Sequence, residues 1–126
     1  MLMDFSATAN PNFFEACKDA LYGMHTHLKE IFDTLWDDHA IWQHMAACPM
    51  FGRNNNGRRF TLEHQMQLND FCKQQNMTLM SGWDMSRDKK DRFKYPKSFL
   101  ACANGWDVAV CAALLPRSGE CAHASR

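Results

Sequence analysis

The most distinctive candidate site in the sequence is a Gly-Trp-Asp tripeptide that occurs twice, each time after a small polar residue. The copies are Ser81-Gly82-Trp83-Asp84 and Asn104-Gly105-Trp106-Asp107. If both are hairpin turns of one antiparallel sheet, the strands that follow them lie about 9.6 Å apart. Two indole rings and two carboxylates would then frame a small-ligand cleft, formed by Trp83, Asp84, Trp106 and Asp107. The alternative is that each Trp only packs under a helix.

A second candidate site consists of basic residues in two segments that we expect to be loops. Three of them, Arg53, Arg58 and Arg59, lie in an Asn- and Gly-rich segment, a composition that is typical of loops. The others are Arg87, Lys89, Lys90, Arg92 and Lys94, with Phe93 among them and Tyr95 directly after them. Basic side chains next to exposed rings suit contacts with phosphates and stacking on bases. A nucleic acid or an acidic protein could bind there, whereas charged runs in many proteins only face water.

A metal site is conceivable at four further residues. His44 and Cys48 are four positions apart, which on a helix would let both reach one ion, and Cys121 and His123 could complete a tetrahedral set. This spacing lies outside the usual patterns of structural zinc sites, and the chain has no Cys-x-x-Cys pair. We therefore predict neither a metal nor another cofactor.

Sequence motifs of common catalytic sites are absent. The chain has no Gly-x-Ser-x-Gly motif, no Walker-type phosphate loop and no His-Glu-x-x-His motif. We therefore predict no catalytic residue and favour a small non-enzymatic binding or regulatory protein that contacts nucleic acid or an acidic partner through its basic segments. Two alternatives stay open, a small-ligand-binding protein or minor enzyme at the twin turns, and a purely structural interaction protein.

The elements that must position these residues begin with an amphipathic stretch from Phe13 to Ala47. Its apolar residues recur at alternating steps of three and four, which predicts a helix with one apolar face. The members of this seam are Phe14, Cys17, Leu21, Met24, Leu28, Ile31, Leu35, Asp38, Trp42 and Met45, of which only Asp38 is polar. We expect Asn10 to cap the helix and Pro11 to lie in its first turn.

The length of this stretch poses a problem for a small domain. As one helix it would be about 52 Å long, whereas a compact domain of this size is about 35 Å across. Either the helix breaks at Asp37-Asp38, with an Asp capping a second helix from His39 to Ala47, or it stays whole and pairs with a second copy of the chain. Because its apolar area exceeds what one thin sheet covers, we expect a homo-oligomer, preferably a dimer, through the Phe14–Met45 seam.

The rest of the chain predicts one more helix and a small antiparallel sheet. The helix begins at Thr61 and ends near Asn76, with an inner face that includes Leu62, Met66 and Phe71. Short strands are expected at residues 2–5, 77–80, 83–87, 98–103 and 106–115. A two-residue Asn104-Gly105 turn joins the last two strands, and this register excludes a disulfide between Cys102 and Cys111.

These elements predict an α+β fold. A long helix that is whole or broken at Asp37-Asp38, and a second helix, pack on a sheet of three to four antiparallel strands formed by the C-terminal half. We expect a single domain over residues 1–115, followed by a flexible tail at residues 116–126.

Composition and charge narrow the class of protein. The chain has 126 residues, of which 46% are hydrophobic, and this excludes disorder throughout. The net charge is zero, but residues 1–50 hold seven acidic and two basic residues, while residues 51–97 hold ten basic and five acidic ones. This asymmetry would steer a polyanion to the middle of the chain. No export signal or membrane-spanning stretch is visible, so we expect a cytoplasmic protein that has six reduced cysteines and no membrane contact.

Overall fold

The computed structural model of the protein describes residues 1–8 and 10–102, with side-chain surroundings through Ser98. In these residues the elements are α1 (Phe13–Phe32), α2 (Asp38–Gln43), β1 (Ala46–Ala47), β2 (Gly52–Arg53), β3 (Arg59–Phe60), α3 (Leu62–Gln74), β4 (Leu79–Met80), α4 (Met85–Lys90) and α5 (Lys94–Cys102). The predicted mixture of helices and a small sheet is confirmed. The predicted sheet of three to four antiparallel strands is not observed in these residues.

The long amphipathic stretch is broken into two helices, which was one of the two alternatives. α1 ends at Phe32, and Asp37 caps α2 by accepting a hydrogen bond from the backbone N of Ala40 at 2.7 Å. The turn between the helices lets the Trp36 ring stack on the rings of Phe32 and His44, at centroid distances of 4.4 and 4.2 Å. Because the break divides the stretch into helices of 20 and 6 residues, each helix is short enough for a small domain.

Two predicted boundaries in this region are wrong. Asn12, rather than Asn10, caps α1, because the Asn12 side chain accepts hydrogen bonds from the first backbone N–H groups of the helix. α2 ends at Gln43 instead of Ala47, since the chain turns at His44 and residues 46–47 enter a strand. The apolar run that follows α2 is thus part of the sheet.

The apolar seam of the sequence is only partly buried. Cys17 and Leu21 lie in the core, while Met24, Ile31 and Leu35 are 54%, 68% and 74% exposed. The core side of α1 packs mainly against α3 and α2. An apolar surface therefore remains on the C-terminal half of α1 and the turn after it.

The central sheet is parallel. The paired residues are Leu2–Pro49, Ala46–Leu79, Ala47–Met80 and Met50–Trp83, and all four pairs are parallel. Three extended segments, which we call segment 1 (around Leu2), segment 2 (residues 46–50) and segment 3 (residues 79–83), therefore lie side by side. The helices α1 and α2 connect segments 1 and 2, and α3 connects segments 2 and 3, as parallel pairing requires.

Two predicted strands are wrong. Residues 85–90 form α4 because Asp84 acts as its N-cap and accepts a hydrogen bond from Arg87 N at 3.1 Å. Residues 98–102 belong to α5, in which Pro96 occupies the first turn, where its missing N–H needs no partner. The predicted Asn104-Gly105 hairpin, the strand at 106–115, the Cys102–Cys111 register and the flexible tail lie wholly or partly outside the described residues.

The predicted second helix, α3, is confirmed. Thr61 and His64 form a capping box, in which Thr61 Oγ1 accepts from His64 N at 3.3 Å and His64 Nδ1 accepts from Thr61 N at 3.1 Å. Burial lowers the pKa of His64 below its usual value, which favours the neutral ring that can accept this bond. Leu68 and Phe71 face the core, whereas Met66, predicted on the inner face, is 53% exposed.

The Asn- and Gly-rich segment is an ordered hairpin. β2 and β3 pair antiparallel, with Gly52 opposite Phe60 and Arg53 opposite Arg59. The carboxylate of Asp4 holds the tip by accepting hydrogen bonds from the backbone N and the side-chain amide of Asn55, both at 2.8 Å. In the part of the chain that is described, no helix is long and apolar enough to cross a membrane.

Candidate functional site

A polar cleft of about 450 Å³ lies where segments 2 and 3 end. Its lining residues are Phe51, Gly52, Arg53, Arg59, Asp84, Ser86, Arg87, Lys90 and Asp91. The carboxyl ends of parallel strands are the usual position of ligand sites in α/β proteins, and small-molecule sites commonly enclose about 300–1,000 Å³. Position and size both make this cleft the candidate functional site.

The back of the cleft is fixed by the ends of the two segments. Phe51 N donates to Trp83 O at 2.7 Å. The Phe51 ring lies directly over Gly82, where a Cβ would be only 1.8 Å from Phe51 Cζ, so this position requires glycine. The Phe51 ring also stacks on Tyr95 at 4.4 Å between centroids, and the Tyr95 hydroxyl donates to Phe60 O at 2.7 Å.

Arg87 joins one wall of the cleft to the other. Its Nη1 donates to Arg53 O at 2.6 Å, and its Nε lies 3.8 Å from Asp84 Oδ2. Asp84 also accepts a hydrogen bond from the Ser86 hydroxyl, which is the largest cause of the lowered pKa of Asp84. The Asp84 carboxylate is therefore ionised and held in place at neutral pH.

The remaining charged side chains of the cleft differ in how they are paired. Arg59 Nη2 lies 3.6 Å from Asp91 Oδ1. Across residues 1–8 and 10–98, Arg53 and Lys90 form no ion pair, and both are exposed. The cleft thus presents two cations that are available to a ligand.

Of the predicted site at the twin turns, only Trp83 and Asp84 lie in the described residues. Ser81-Gly82 is not a turn, because Ser81 N donates to Ala47 O and Trp83 N to Pro49 O within the parallel sheet. The Trp83 indole is 49% exposed at the end of segment 3, and the peptide bond from Trp83 to Asp84 is cis. The other two predicted residues, Trp106 and Asp107, lie outside the described residues.

The predicted basic set is divided between the cleft and other places. Four members line the cleft, namely Arg53, Arg59, Arg87 and Lys90. Arg58 has a structural role, since it donates to Phe5 O at 3.1 Å and Pro11 O at 2.8 Å and lies 5.0 Å from the centroid of the Phe13 ring. Three members are exposed outside the lining, namely Lys89, Arg92 and Lys94.

A second cavity, of about 500 Å³, shares Arg59 with the cleft. Its lining residues are Pro11, Asn12, Phe13, Arg58, Arg59 and His64. The Arg58 guanidinium is bound to backbone carbonyls and His64 belongs to the capping box, so few groups remain for a ligand. The smaller cleft at the strand ends is chemically the better equipped of the two.

The speculative metal ligands do not share a helical turn as the sequence spacing required. α2 ends at Gln43, His44 Nδ1 donates to Ala40 O at 2.7 Å, and Cys48 follows β1. Within the described ranges no group of three or more His, Cys, Asp or Glu side chains lies close enough to hold a metal ion. Cys121 and His123 lie outside those ranges.

Two polar residues of the cleft lining, Ser86 and Asp91, were missed as site residues in the sequence. Ser86 is oriented by the N-cap Asp84, and the Asp84-to-Arg87 spacing of a helix start was the signal that could have found it. Asp91 was not predicted as a site residue, whereas the structure makes it the ion-pair partner of Arg59 in the cleft. Its role depends on the β2–β3 hairpin, which brings Arg59 to α4.

Comparisons with known proteins give a partial structural match. No protein-family model matches this chain, and no curated protein matches it significantly. Two solved structures of a chitinase from Pyrococcus furiosus are similar to this chain, both at 29% sequence identity. One is the active domain 2 with catalytic-site mutations, complexed with chito-oligosaccharides, at a TM-score of 0.58. The other is the catalytic domain of the hyperthermophilic enzyme, at a TM-score of 0.57. Each match covers 60% of this chain, which spans about 25% of the length of the chitinase chain.

Proposed function

We propose that this chain is a non-enzymatic protein that binds a carbohydrate. The bound carbohydrate would contact Trp83 and the polar groups of the cleft. The observation that carries this function is that the exposed Trp83, at the carboxyl end of segment 3, is directly followed in the chain by Asp84, which lines the polar cleft. The similarity to chitinase structures that hold chito-oligosaccharides supports a sugar as the ligand.

The chemistry of the cleft suits sugar hydroxyl groups. Asp84 is an ionised acceptor held by Ser86 and Arg87, while Arg53 and Lys90 are donors. The C–H face of a sugar ring carries partial positive charge, which the negative face of an indole such as Trp83 attracts. Fixed donors and acceptors orient a sugar, and an aromatic surface within reach of the same sugar adds affinity.

The charge state of the carboxyl groups favours binding over hydrolysis. Glycosidases commonly need one carboxylic acid with a raised pKa as the proton donor to the leaving oxygen. The hydrogen bond from Ser86 instead lowers the pKa of Asp84. Burial raises the pKa of Asp88, but this side chain is 0% exposed and accepts from Tyr95 N at 3.2 Å, out of reach of a ligand.

Titration calorimetry with a chito-oligosaccharide tests this function. We expect saturable binding that is weakened about tenfold by Trp83→Ala and by Asp84→Asn. The matched controls are Trp36→Ala, which removes an indole from the turn between α1 and α2, and Asp70→Asn on the exposed side of α3, and both should bind as the unmodified chain does. Binding that is insensitive to the cleft variants, or is equally reduced by the controls, would remove carbohydrate binding as the function.

A second candidate function is recognition of a nucleic acid or another acidic macromolecule. Exposed Lys89, Arg92 and Lys94 continue the positive surface of the cleft along α4 and α5. Retention on phosphocellulose should then decrease in an Arg92→Ala, Lys94→Ala double variant. Unchanged retention of this variant argues against a macromolecular polyanion and leaves the cleft ligand unaffected.

We propose in addition that two copies of the chain associate through the exposed part of the α1 seam. Met24, Ile31 and Leu35 form the apolar surface that this chain leaves uncovered there. Light scattering should show a dimer that Ile31→Lys converts to a monomer, while Thr34→Lys, at a neighbouring exposed polar position, leaves it dimeric. A monomer before any substitution rejects this association.

We also propose that the chain works in the cytoplasm. The described cysteines, Cys17, Cys48 and Cys72, are free thiols. Burial raises the pKa of both Cys17 and Cys72 to about 12, so these thiols stay protonated and unreactive. Microscopy of a fluorescent fusion tests this location, and a secreted fusion protein would contradict it.

A further inference from the structure

We infer that the sugar carries an anionic group, a phosphate or a carboxylate, which binds between Arg53 and Lys90. This ligand class rests on the proposed carbohydrate-binding function and specifies it further. It distinguishes the ligand of this chain from a neutral chito-oligosaccharide.

The first observation is the charge of the cleft. The lining contains four cationic side chains, Arg53, Arg59, Arg87 and Lys90, and two carboxylates, Asp84 and Asp91. The cleft therefore has a net charge of +2, although the whole chain is neutral. A concave site with a net positive charge concentrates anionic ligands.

The second observation is which cations the protein itself neutralises. Arg87 is bound to Asp84 and to the carbonyl of Arg53, and Arg59 faces Asp91 at 3.6 Å. These internal contacts use both carboxylates of the cleft. Arg53 from the hairpin and Lys90 from the end of α4 keep their charges unpaired in the described chain, and they line the same cavity.

Two unpaired cations that line one cleft can both attract the same anion. A guanidinium presents a planar fork of N–H donors that fits the oxygens of a phosphate or carboxylate, and an ammonium adds a point charge. A neutral sugar would satisfy some hydrogen bonds of these groups but would lack the charge–charge attraction that an anionic group adds. The unpaired Arg53 and Lys90 therefore define the position of the anionic substituent.

Four probes test the assignment by titration calorimetry on the full chain: N-acetylglucosamine, N-acetylglucosamine 6-phosphate, glucuronate and inorganic phosphate. We expect the phosphorylated sugar or glucuronate to bind at least about tenfold more tightly than the neutral sugar. An Arg53→Gln, Lys90→Gln double variant should lose that advantage, so that it binds the anionic sugars no more tightly than it binds N-acetylglucosamine. A Lys73→Gln, Lys89→Gln variant removes the same charge outside the cleft and should keep the advantage. Circular dichroism of each variant establishes that it is folded.

The outcomes separate the two levels of the assignment. Equal affinities for the neutral and anionic sugars, or an equal loss in the Lys73/Lys89 variant, overturn the anionic group while carbohydrate binding stands. Binding of inorganic phosphate without binding of any sugar supports the Arg53–Lys90 anion site and rejects the proposed carbohydrate function. Failure of all four probes overturns both. A preference between phosphate and carboxylate identifies which anionic group the sugar carries.

Discussion

Arg87 Nη1 donates a 2.6 Å hydrogen bond to the carbonyl oxygen of Arg53, so a side chain of α4 is bound to the backbone of β2. This bond crosses the candidate cleft, and the same guanidinium lies 3.8 Å from Asp84. The hairpin and the helix therefore hold each other in register. The cations Arg53 and Lys90 depend on this connection for their relative position.

Replacement of Arg87 by Lys should loosen the cleft while it preserves the charge. Lysine lacks the fork that reaches both Arg53 O and Asp84, and a lost hydrogen bond of this kind reduces the free energy of unfolding by about 1 kcal/mol. We expect faster amide hydrogen exchange in the β2–β3 hairpin of the variant. Arg92→Lys, at an exposed position outside the cleft, is the matched control. Equal exchange rates in the two variants would show that the Arg87 bond does not organise the hairpin.

Gly82→Ala should be among the most destabilising single substitutions in the described chain. The new Cβ would lie 1.8 Å from Phe51 Cζ, and the Phe51 ring is held by Tyr95, so relief requires a shift of the packed rings. Overpacking of this kind should reduce the free energy of unfolding by about 3 kcal/mol, which a urea titration measures. The matched control, Gly23→Ala on α1, meets nothing within 4 Å and should stabilise the chain by about 0.5–1 kcal/mol. Similar midpoints for the two variants are incompatible with the packing described.

The capping box at the start of α3 can be tested by substitution. Thr61→Ala removes the acceptor for His64 N and should reduce the free energy of unfolding by about 1 kcal/mol. Thr61→Ser retains the hydroxyl and should remain close to the unmodified chain. A Thr61→Ala variant as stable as Thr61→Ser would mean that the cap adds nothing to stability.

The same capping box predicts a dependence of stability on pH. The pKa of His64 is lower in the folded chain than its usual 6.5, mainly because of burial, so the unfolded chain takes up this proton first. The contribution of His64 is therefore complete above pH about 6.5 and decreases as the pH falls through the folded pKa. His64→Gln keeps a side-chain acceptor at this position and should abolish this part of the acid loss. Identical unfolding curves for the two proteins over this range would contradict it.

The buried carboxyl group of Asp88 should reduce stability as the pH rises, whereas His64 reduces it as the pH falls. Its side chain is 0% exposed, Oδ1 accepts from Tyr95 N, and Oδ2 has no hydrogen-bond partner in the described structure. Burial is the largest cause of the raised pKa of Asp88, to which the charge of Asp91 adds and which Lys97 opposes. The folded pKa of Asp88 exceeds the unfolded value of 3.8. The contribution of Asp88 to stability is therefore complete below that value and is lost as the pH rises through the folded pKa.

Asp88→Asn tests this dependence because it keeps the acceptor for Tyr95 N without the charge. Relative to the unmodified chain, the variant should gain stability as the pH increases, by about 1 kcal/mol at neutral pH, which is the scale of one buried unsatisfied polar group. Asp91→Asn, at the partly exposed neighbour, is the control. A pH-independent difference between Asp88→Asn and the unmodified chain would show that the carboxylate is not the cause.

Features encoded by neighbouring residues were predictable from the sequence. α3 begins after Thr61 as expected because capping needs only groups within one turn, and the break before α2 follows from the capping ability of Asp37. The mixture of helix and sheet follows in the same way from local pattern. The parallel arrangement was missed because β1 and β4 are two residues each and pair 33 positions apart, beyond any local period.

The candidate site was predictable in its members but not in its assembly. Asp84 and the cleft cations Arg53 and Lys90 were each identified from residue type, yet they were assigned to two unrelated sites. Only the tertiary structure unites them, because the β2–β3 hairpin and α4 meet at the ends of the parallel segments. The mistaken turn at Ser81-Gly82 has a physical cause, since the glycine serves close packing against Phe51 and not a reversal of the chain.

A nuclear magnetic resonance titration of the isotopically labelled chain tests the central claim most directly, namely that a sugar binds at the carboxyl ends of segments 2 and 3. On addition of a chito-oligosaccharide, and more strongly of N-acetylglucosamine 6-phosphate, we expect saturable changes confined to the amides of residues 51–53 and 82–91 and to the indole N–H of Trp83. Changes centred on the exposed α1 seam around Ile31, or no change at saturating concentrations of both sugars, would contradict it.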